Sequence, residues 1–202
     1  MAEGDGKSDD THLPPLETRE LREGLANFLQ SETSHIGGNG RPLRVAPIKC
    51  GVYAFFDYDS EPIYVGQTKE SLGTRIRRHL TNQRTDAVAM NVLDPFEVYS
   101  VQVWPLPYLK DRLPKEGVSQ TLNALEYQVY IRLRDQSEFG ALLNEKIPET
   151  PDSEVEVPDS YSGVIVSDEV YRLRKHPDVR IARRSQVISG LARIISERKV
   201  QA

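Results

Sequence analysis

The chain has 202 residues, 38% of them apolar and 28% charged, a balance that can build one hydrophobic core. It contains no run of about eighteen apolar residues, which excludes a membrane-spanning helix, and no apolar N-terminal stretch that would read as a signal peptide. Its one cysteine, Cys50, excludes a disulfide framework and a cysteine-based zinc site, so a reducing, cytoplasmic home is expected.

The net charge of −4 is unevenly spread. Residues 1–24 hold three basic and seven acidic side chains, and residues 145–170 hold one and eight. Residues 171–202 reverse this, with nine basic against two acidic. A binding surface answers to the local field, so the overall negative sign does not exclude nucleic acid as a partner.

In chain order, residues 1–14 are acidic and aperiodic and are expected to form a disordered tail. Leu21, Leu25, Phe28 and Leu29 then form an apolar stripe at helical spacing, predicting a helix from about Glu17 to Gln30. Ser34 to Pro47, rich in Gly and Pro, is expected to be a loop. Gly51 to Phe56 is aromatic and β-branched and reads as a strand; Asp57 to Pro62 is turn chemistry, and Ile63 to Val65 returns as a second strand. From Leu72 the period changes: Leu72, Ile76 and Leu80 mark an amphipathic helix, with Arg75 and His79 one turn apart on a neighbouring face. Tyr53, Tyr64, Arg75 and His79 thereby converge on one small region. Lys69, Arg75, Arg77, Arg78 and Arg84 make the stretch basic, against Glu70 alone, which suits Lys69, Arg77, Arg78 and Arg84 to phosphate contact.

Further on, a turn or short helix is expected from Ala87 to Leu93, and Phe96 to Trp104 reads as a third strand. Pro105 to Gly117 is a proline-broken loop. Leu122, Leu125, Val129 and Leu133 predict a helix from about Ser119 to Arg134 that carries Glu126. Residues 15–148 are expected to form one domain that ends near Asn144, followed by an acidic linker over 149–160 and a basic extension over 161–202. Within the extension, Tyr161 to Val166 suits a short strand and Arg180 to Lys199 an amphipathic helix.

The tripeptides Gly51-Val52-Tyr53 and Tyr64-Val65-Gly66, followed by Leu72-x-x-Arg75 and His79, resemble the GIY-YIG nuclease superfamily, above all its short single-domain members. The four-residue step from Arg75 to His79 is similar to that of the restriction endonucleases built on this fold. The resemblance spans about residues 51–144. It implies an α+β fold with a small three-stranded antiparallel sheet flanked by helices, and hydrolysis of DNA phosphodiester bonds.

What the resemblance implies for single residues follows the needs of that reaction. Glu126 would bind one Mg²⁺, or Mn²⁺ in its place, through hard carboxylate oxygens. Arg75 would clamp the scissile phosphate, since a guanidinium stays charged and binds two oxygens at once. Tyr53 would orient water or act as base with Tyr64 as its support, His79 would relay a proton or hold a phosphate oxygen, and Asn144 would support the glutamate or the phosphate. Gln67 departs from the pattern, standing where several relatives have lysine, which removes a lysine base.

The expected function is therefore a metal-dependent DNA endonuclease, of the prokaryotic restriction or defence type. A repair or mobile-element nuclease, or a non-catalytic nucleic-acid-binding module, are the alternatives. Cutting both strands from a domain with one site requires a homodimer or two successive nicks.

Overall fold

Gly51–Phe56 is the central strand of the protein, and the chain before and after it covers both of its faces. The computed structural model describes residues 14–81 and 93–200. The expected tail up to residue 13, Arg84 and, of the turn expected from Ala87 to Leu93, all but Leu93 lie outside the described residues.

In chain order the elements are helix α1 (Leu16–Gln30), strands β1 (Glu32–Ile36), β2 (Pro42–Arg44), β3 (Gly51–Phe56) and β4 (Pro62–Thr68), and helix α2 (Leu72–Thr81). Strand β5 (Ser100–Pro105), helices α3 (Leu109–Arg112) and α4 (Lys115–Gln136), strand β6 (Tyr161–Val164) and helices α5 (Asp168–Lys175) and α6 (Pro177–Val200) follow. The main sheet runs β4-β3-β5-β6 with every pairing antiparallel. The three expected strands are present as β3, β4 and β5, and β6 corrects the expected three-stranded sheet to four by pairing with β5.

Alternation along β3 assigns the two faces. Tyr53 and Phe55 point into a core closed by Leu21, Leu25, Phe28 and Leu29 of α1, Leu72, Ile76 and Leu80 of α2, and Val187, Leu191 and Ile194 of α6. Val52 and Ala54 point the other way, where Leu125, Val129, Tyr130 and Leu133 of α4 cover them. Each large apolar side chain buried this way is worth about 1.5–3 kcal/mol. The β3–β4 turn is held by Asp57, whose Oδ1 accepts from the N–H groups of Asp59 (2.7 Å) and Glu61 (2.9 Å). Ser60 takes a left-handed φ of 63° there.

Several boundaries differ from the sequence-based expectation for local reasons. The Gly- and Pro-rich loop before β3 contains a two-stranded hairpin, β1 with β2, closed by Gly37 N–H donating to the Arg41 carbonyl at 2.8 Å. The third strand begins four residues late, because Pro95–Glu97 forms a 3-10 turn with Asp94 accepting from the Phe96 N–H. The Pro105–Gly117 loop holds α3 and the first turn of α4, since Pro114 is pre-set for a helix start. The C-terminal helix is preceded by a second one, α5, and Pro177 at the start of α6 accounts for the break between them. Residues 161–200 join the same sheet and core as the rest of the chain. Among the described residues no helix is long and apolar enough to cross a membrane.

Candidate active site

The site lies across β4, an edge strand, where groups from both faces of the sheet come together. Tyr64 and Gly66 face the α2 side, and Val65 and Gln67 face the α4 side, as strand alternation requires. Between β4 and α2 the chain turns within three residues, and the Ser71 hydroxyl caps the first helical turn by accepting from the Thr74 N–H at 3.1 Å. This short connection places Arg75 and His79 over Tyr53 and Tyr64.

Tyr53 is fully buried, and its hydroxyl accepts from Arg75 Nε at 3.2 Å. The Tyr64 ring lies beside that of Tyr53, with ring centroids 6.3 Å apart. Burial holds the Tyr53 phenol well above its ordinary pKa, with the neighbouring Tyr64 adding to the effect and Arg75 opposing it. Burial likewise pushes Tyr64 up to about 12, against the pull of the Arg75 charge. Both are neutral phenols near pH 7. The His79 ring packs against Tyr64 (centroids 5.4 Å), Tyr53 (5.8 Å) and Phe55 (6.2 Å).

Gly66 stands opposite Tyr53 in the β3–β4 register. A Cβ at position 66 would lie 2.6 Å from the Tyr53 hydroxyl and 2.7 Å from its Cζ. The second tripeptide ends in glycine because the first one's tyrosine fills that space.

From the other face, Glu126 on α4 reaches the same edge. Gln67 Nε2 donates to its Oε2 at 2.9 Å and to Asn123 Oδ1 at 2.7 Å. Burial raises the Glu126 carboxyl above its usual range, partly offset by the Gln67 hydrogen bond and the charge of Arg75. The Gln67 Oε1 atom is buried without a hydrogen-bond partner. A half-buried carboxylate with an unpartnered amide oxygen beside it is an all-oxygen donor set, the kind that suits Mg²⁺. Among the described residues no cluster of three His, Cys, Asp or Glu side chains could hold a metal ion. A cation here would rest on one carboxylate and keep most of its waters, as Mg²⁺ commonly does.

Asn144 is buried against the outer edge of β4. Its Oδ1 accepts from the Val65 N–H at 3.1 Å and its Nδ2 donates to the Val65 carbonyl at 2.7 Å. With Leu143 N–H donating to the Ile63 carbonyl at 2.8 Å, residues 143 and 144 act as a short strand substitute along that edge. Asn144 thus meets the site through the backbone between Tyr64 and Gly66.

The basic residues are spread more widely. Arg78 is paired in two-pronged fashion with Glu70 (2.7 and 2.8 Å), Arg77 is exposed, and Lys69 Nζ donates to Ser119 Oγ at 2.8 Å. Gln67, Thr68, Lys69, Glu70 and Arg75 line an open pocket of about 480 Å³. The sequence reading gave Gln67 and Asn123 no role. Gln67 was traceable from its two-residue step beyond Val65, which sets it on the α4 face, and Asn123 from its place one turn before Glu126.

Residues 49–109 match the family model described as the GIY-YIG catalytic domain. The match takes in Tyr53, Tyr64, Arg75 and His79, while Glu126 and Asn144 lie beyond it. No curated protein and no solved structure matches the chain.

Proposed function

We propose that this chain, which carries a GIY-YIG nuclease domain, is a metal-dependent DNA endonuclease of the restriction or defence type. The domain itself implies an endonuclease acting on nucleic acid. The choice of DNA, the divalent cation and the restriction role are our reading.

One observation carries it: Arg75, Tyr53, Tyr64, His79 and the half-buried Glu126 meet at a single strand edge. Phosphodiester hydrolysis needs charge neutralisation at phosphorus, an oriented water and a route for its proton. Arg75 supplies a permanent positive charge for the phosphate, and its bond to Tyr53 fixes where that charge sits. Tyr53 is fully buried whereas Tyr64 is partly exposed on the edge strand, so we assign water orientation to Tyr64 and support to Tyr53, the reverse of what the resemblance implied. His79, packed on Tyr64, is the side-chain type suited to carrying a proton near neutral pH. Glu126, with Gln67 Oε1 beside it, would hold the cation, which when bound would neutralise phosphate charge and acidify a water.

Incubating supercoiled plasmid with Mg²⁺ and with EDTA, for the natural chain, Glu126→Ala and Arg75→Ala, tests the proposal. Nicked or linear product from the natural chain with Mg²⁺ only, lost in both variants with the fold retained, is the expected result. Discrete fragments would support restriction, and cutting of branched DNA alone a repair or mobile-element role. DNA binding without cleavage would replace the enzyme reading with that of a binding module.

A further inference from the structure

Beside the active site, on the α4 side, a second pocket of about 530 Å³ is lined by Lys69, Lys110, Leu113, Lys115, Val118 and Ser119. It shares Lys69 with the pocket that holds Gln67 and Arg75. Three lysines and no carboxylate line it; Asp111 and Glu116, their sequence neighbours, are not part of its wall. We propose that this pocket binds a backbone phosphate of the same nucleic-acid strand, a few nucleotides from the bond that is cut, with Lys110 and Lys115 as its main contacts.

The pocket is built rather than a chance run of surface charge. Lys110 Nζ donates to the Lys69 carbonyl, and Lys69 Nζ donates to Ser119 Oγ, so α3, the β4–α2 connection and α4 are tied together around it. Buried Val118 and exposed Leu113 form the apolar part of its wall, the kind of surface along which lysine stems lie. The pocket also opens at the start of α4, a 22-residue helix whose N-cap, Pro114, offers no side-chain hydrogen bond. Its first-turn N–H groups add positive potential where the lysines gather.

Distance fixes what such a site would read. Ser119 and Glu126 are seven residues apart on one face of α4, about 10 Å along the helix. At about 3.4 Å of axial rise per nucleotide, that is about three nucleotides along a strand. A contact there carries no base information; it sets register and adds salt-sensitive affinity.

The inference rests on the nuclease reading, and its test separates the two. Binding of a 30-base-pair duplex would be followed across a salt series in EDTA, for the natural chain, Lys110→Gln with Lys115→Gln, and Arg22→Gln on α1 as a control. Each phosphate contact contributes about 0.9 to the slope of log affinity against log salt. The double variant is expected to lose about 0.9 of that slope, the one phosphate contact, and the control none. A neutral methylphosphonate linkage, moved one nucleotide at a time from the cut bond, should weaken the natural chain at one position about three nucleotides away. The double variant should be indifferent to it there. An unchanged slope in a folded double variant that still binds DNA overturns this inference alone. No DNA binding by the natural chain overturns the nuclease reading and this with it.

Discussion

The Tyr53 hydroxyl occupies the space that a side chain at Gly66 would need, with a Cβ there only 2.6 Å away. The two residues are paired across β3 and β4, so a side chain at position 66 cannot enter without moving Tyr53. Gly66→Ala must therefore push the phenol off the Arg75 guanidinium or spread the two strands. Overpacking of this kind costs about 1–3 kcal/mol, and displacing a positioning group by about 1 Å can cost about 100-fold in rate. A thermal melt and a plasmid-nicking assay should show a modest loss of stability with a cleavage loss of about 100-fold. Near-natural cleavage would show that the position of Tyr53 does not matter to the reaction.

Arg75 holds Tyr53 with Nε, an atom that lysine lacks. Arg75→Lys keeps one positive charge but breaks the hydrogen bond to Tyr53 and the planar two-point grip on phosphate. Single-turnover cleavage is expected to fall about 100- to 1000-fold, the scale seen when one donor to a developing charge is removed. Duplex binding should weaken far less. Equal losses in binding and in rate would make Arg75 a binding residue only.

Asn144 replaces a missing neighbour strand at Val65 with two hydrogen bonds. Asn144→Leu would leave a buried N–H and a buried carbonyl unpaired, at about 1–3 kcal/mol each. Chemical denaturation should report that loss directly. If Asn144 acts only through the strand, cleavage by the folded fraction should fall while the metal dependence of the reaction stays as in the natural chain. A changed metal requirement would place Asn144 at the cation instead.

The hairpin and α2 were legible because their signals are local: the tripeptides at Tyr53 and Tyr64, and the Leu72, Ile76, Leu80 period. Glu126 was reachable only through resemblance, since a helix-face glutamate has no local mark of its burial. β1 and β2 were missed because three- and five-residue strands with exposed alternate positions carry little apolar pattern. α6 was read as one amphipathic helix, yet it is apolar on two sides. Val187, Leu191 and Ile194 face the core, and Ile181, Ile188 and Ile195 are exposed. The joining of β6 to β5 depends on a contact across about sixty residues, which no local window contains.

Gln67 and Glu126 predict a titration. Burial holds the Glu126 carboxyl above its ordinary 4.5, and the Gln67 N–H pulls it partway back. Gln67→Ala removes a donor to the ionised form, so the pKa must rise further. Carboxyl ¹³C NMR of the metal-free chain should place Glu126 above 4.5 in the natural protein and higher in the variant. A lower value in Gln67→Ala would mean that water reaches the carboxylate and outweighs the lost hydrogen bond.

Asp59, in the β3–β4 turn, carries a prediction about the whole fold. Its carboxylate accepts from Lys175 and Arg180 at 2.9 Å each and from buried Arg183 at 3.4 Å. Arg183 also pairs with Glu97, and Arg174 joins Glu97 to Glu17 of α1. The turn is thereby tied to both C-terminal helices. Burial alone would raise the Asp59 pKa, but the hydrogen bonds from Lys175 and Arg180 prevail and hold it below 3.8. A depressed carboxyl pKa stabilises the fold above the unfolded value, and that contribution is lost as pH falls through the folded one. The natural chain should therefore lose stability below about pH 3.8 in part through Asp59. Asp59→Asn leaves Arg183 short of a partner in the core and should cost about 3 kcal/mol at neutral pH. Its melting temperature should also fall less steeply than the natural chain's below pH 3.8. Parallel melting curves across that range would show that the network is screened by solvent and does not hold the turn.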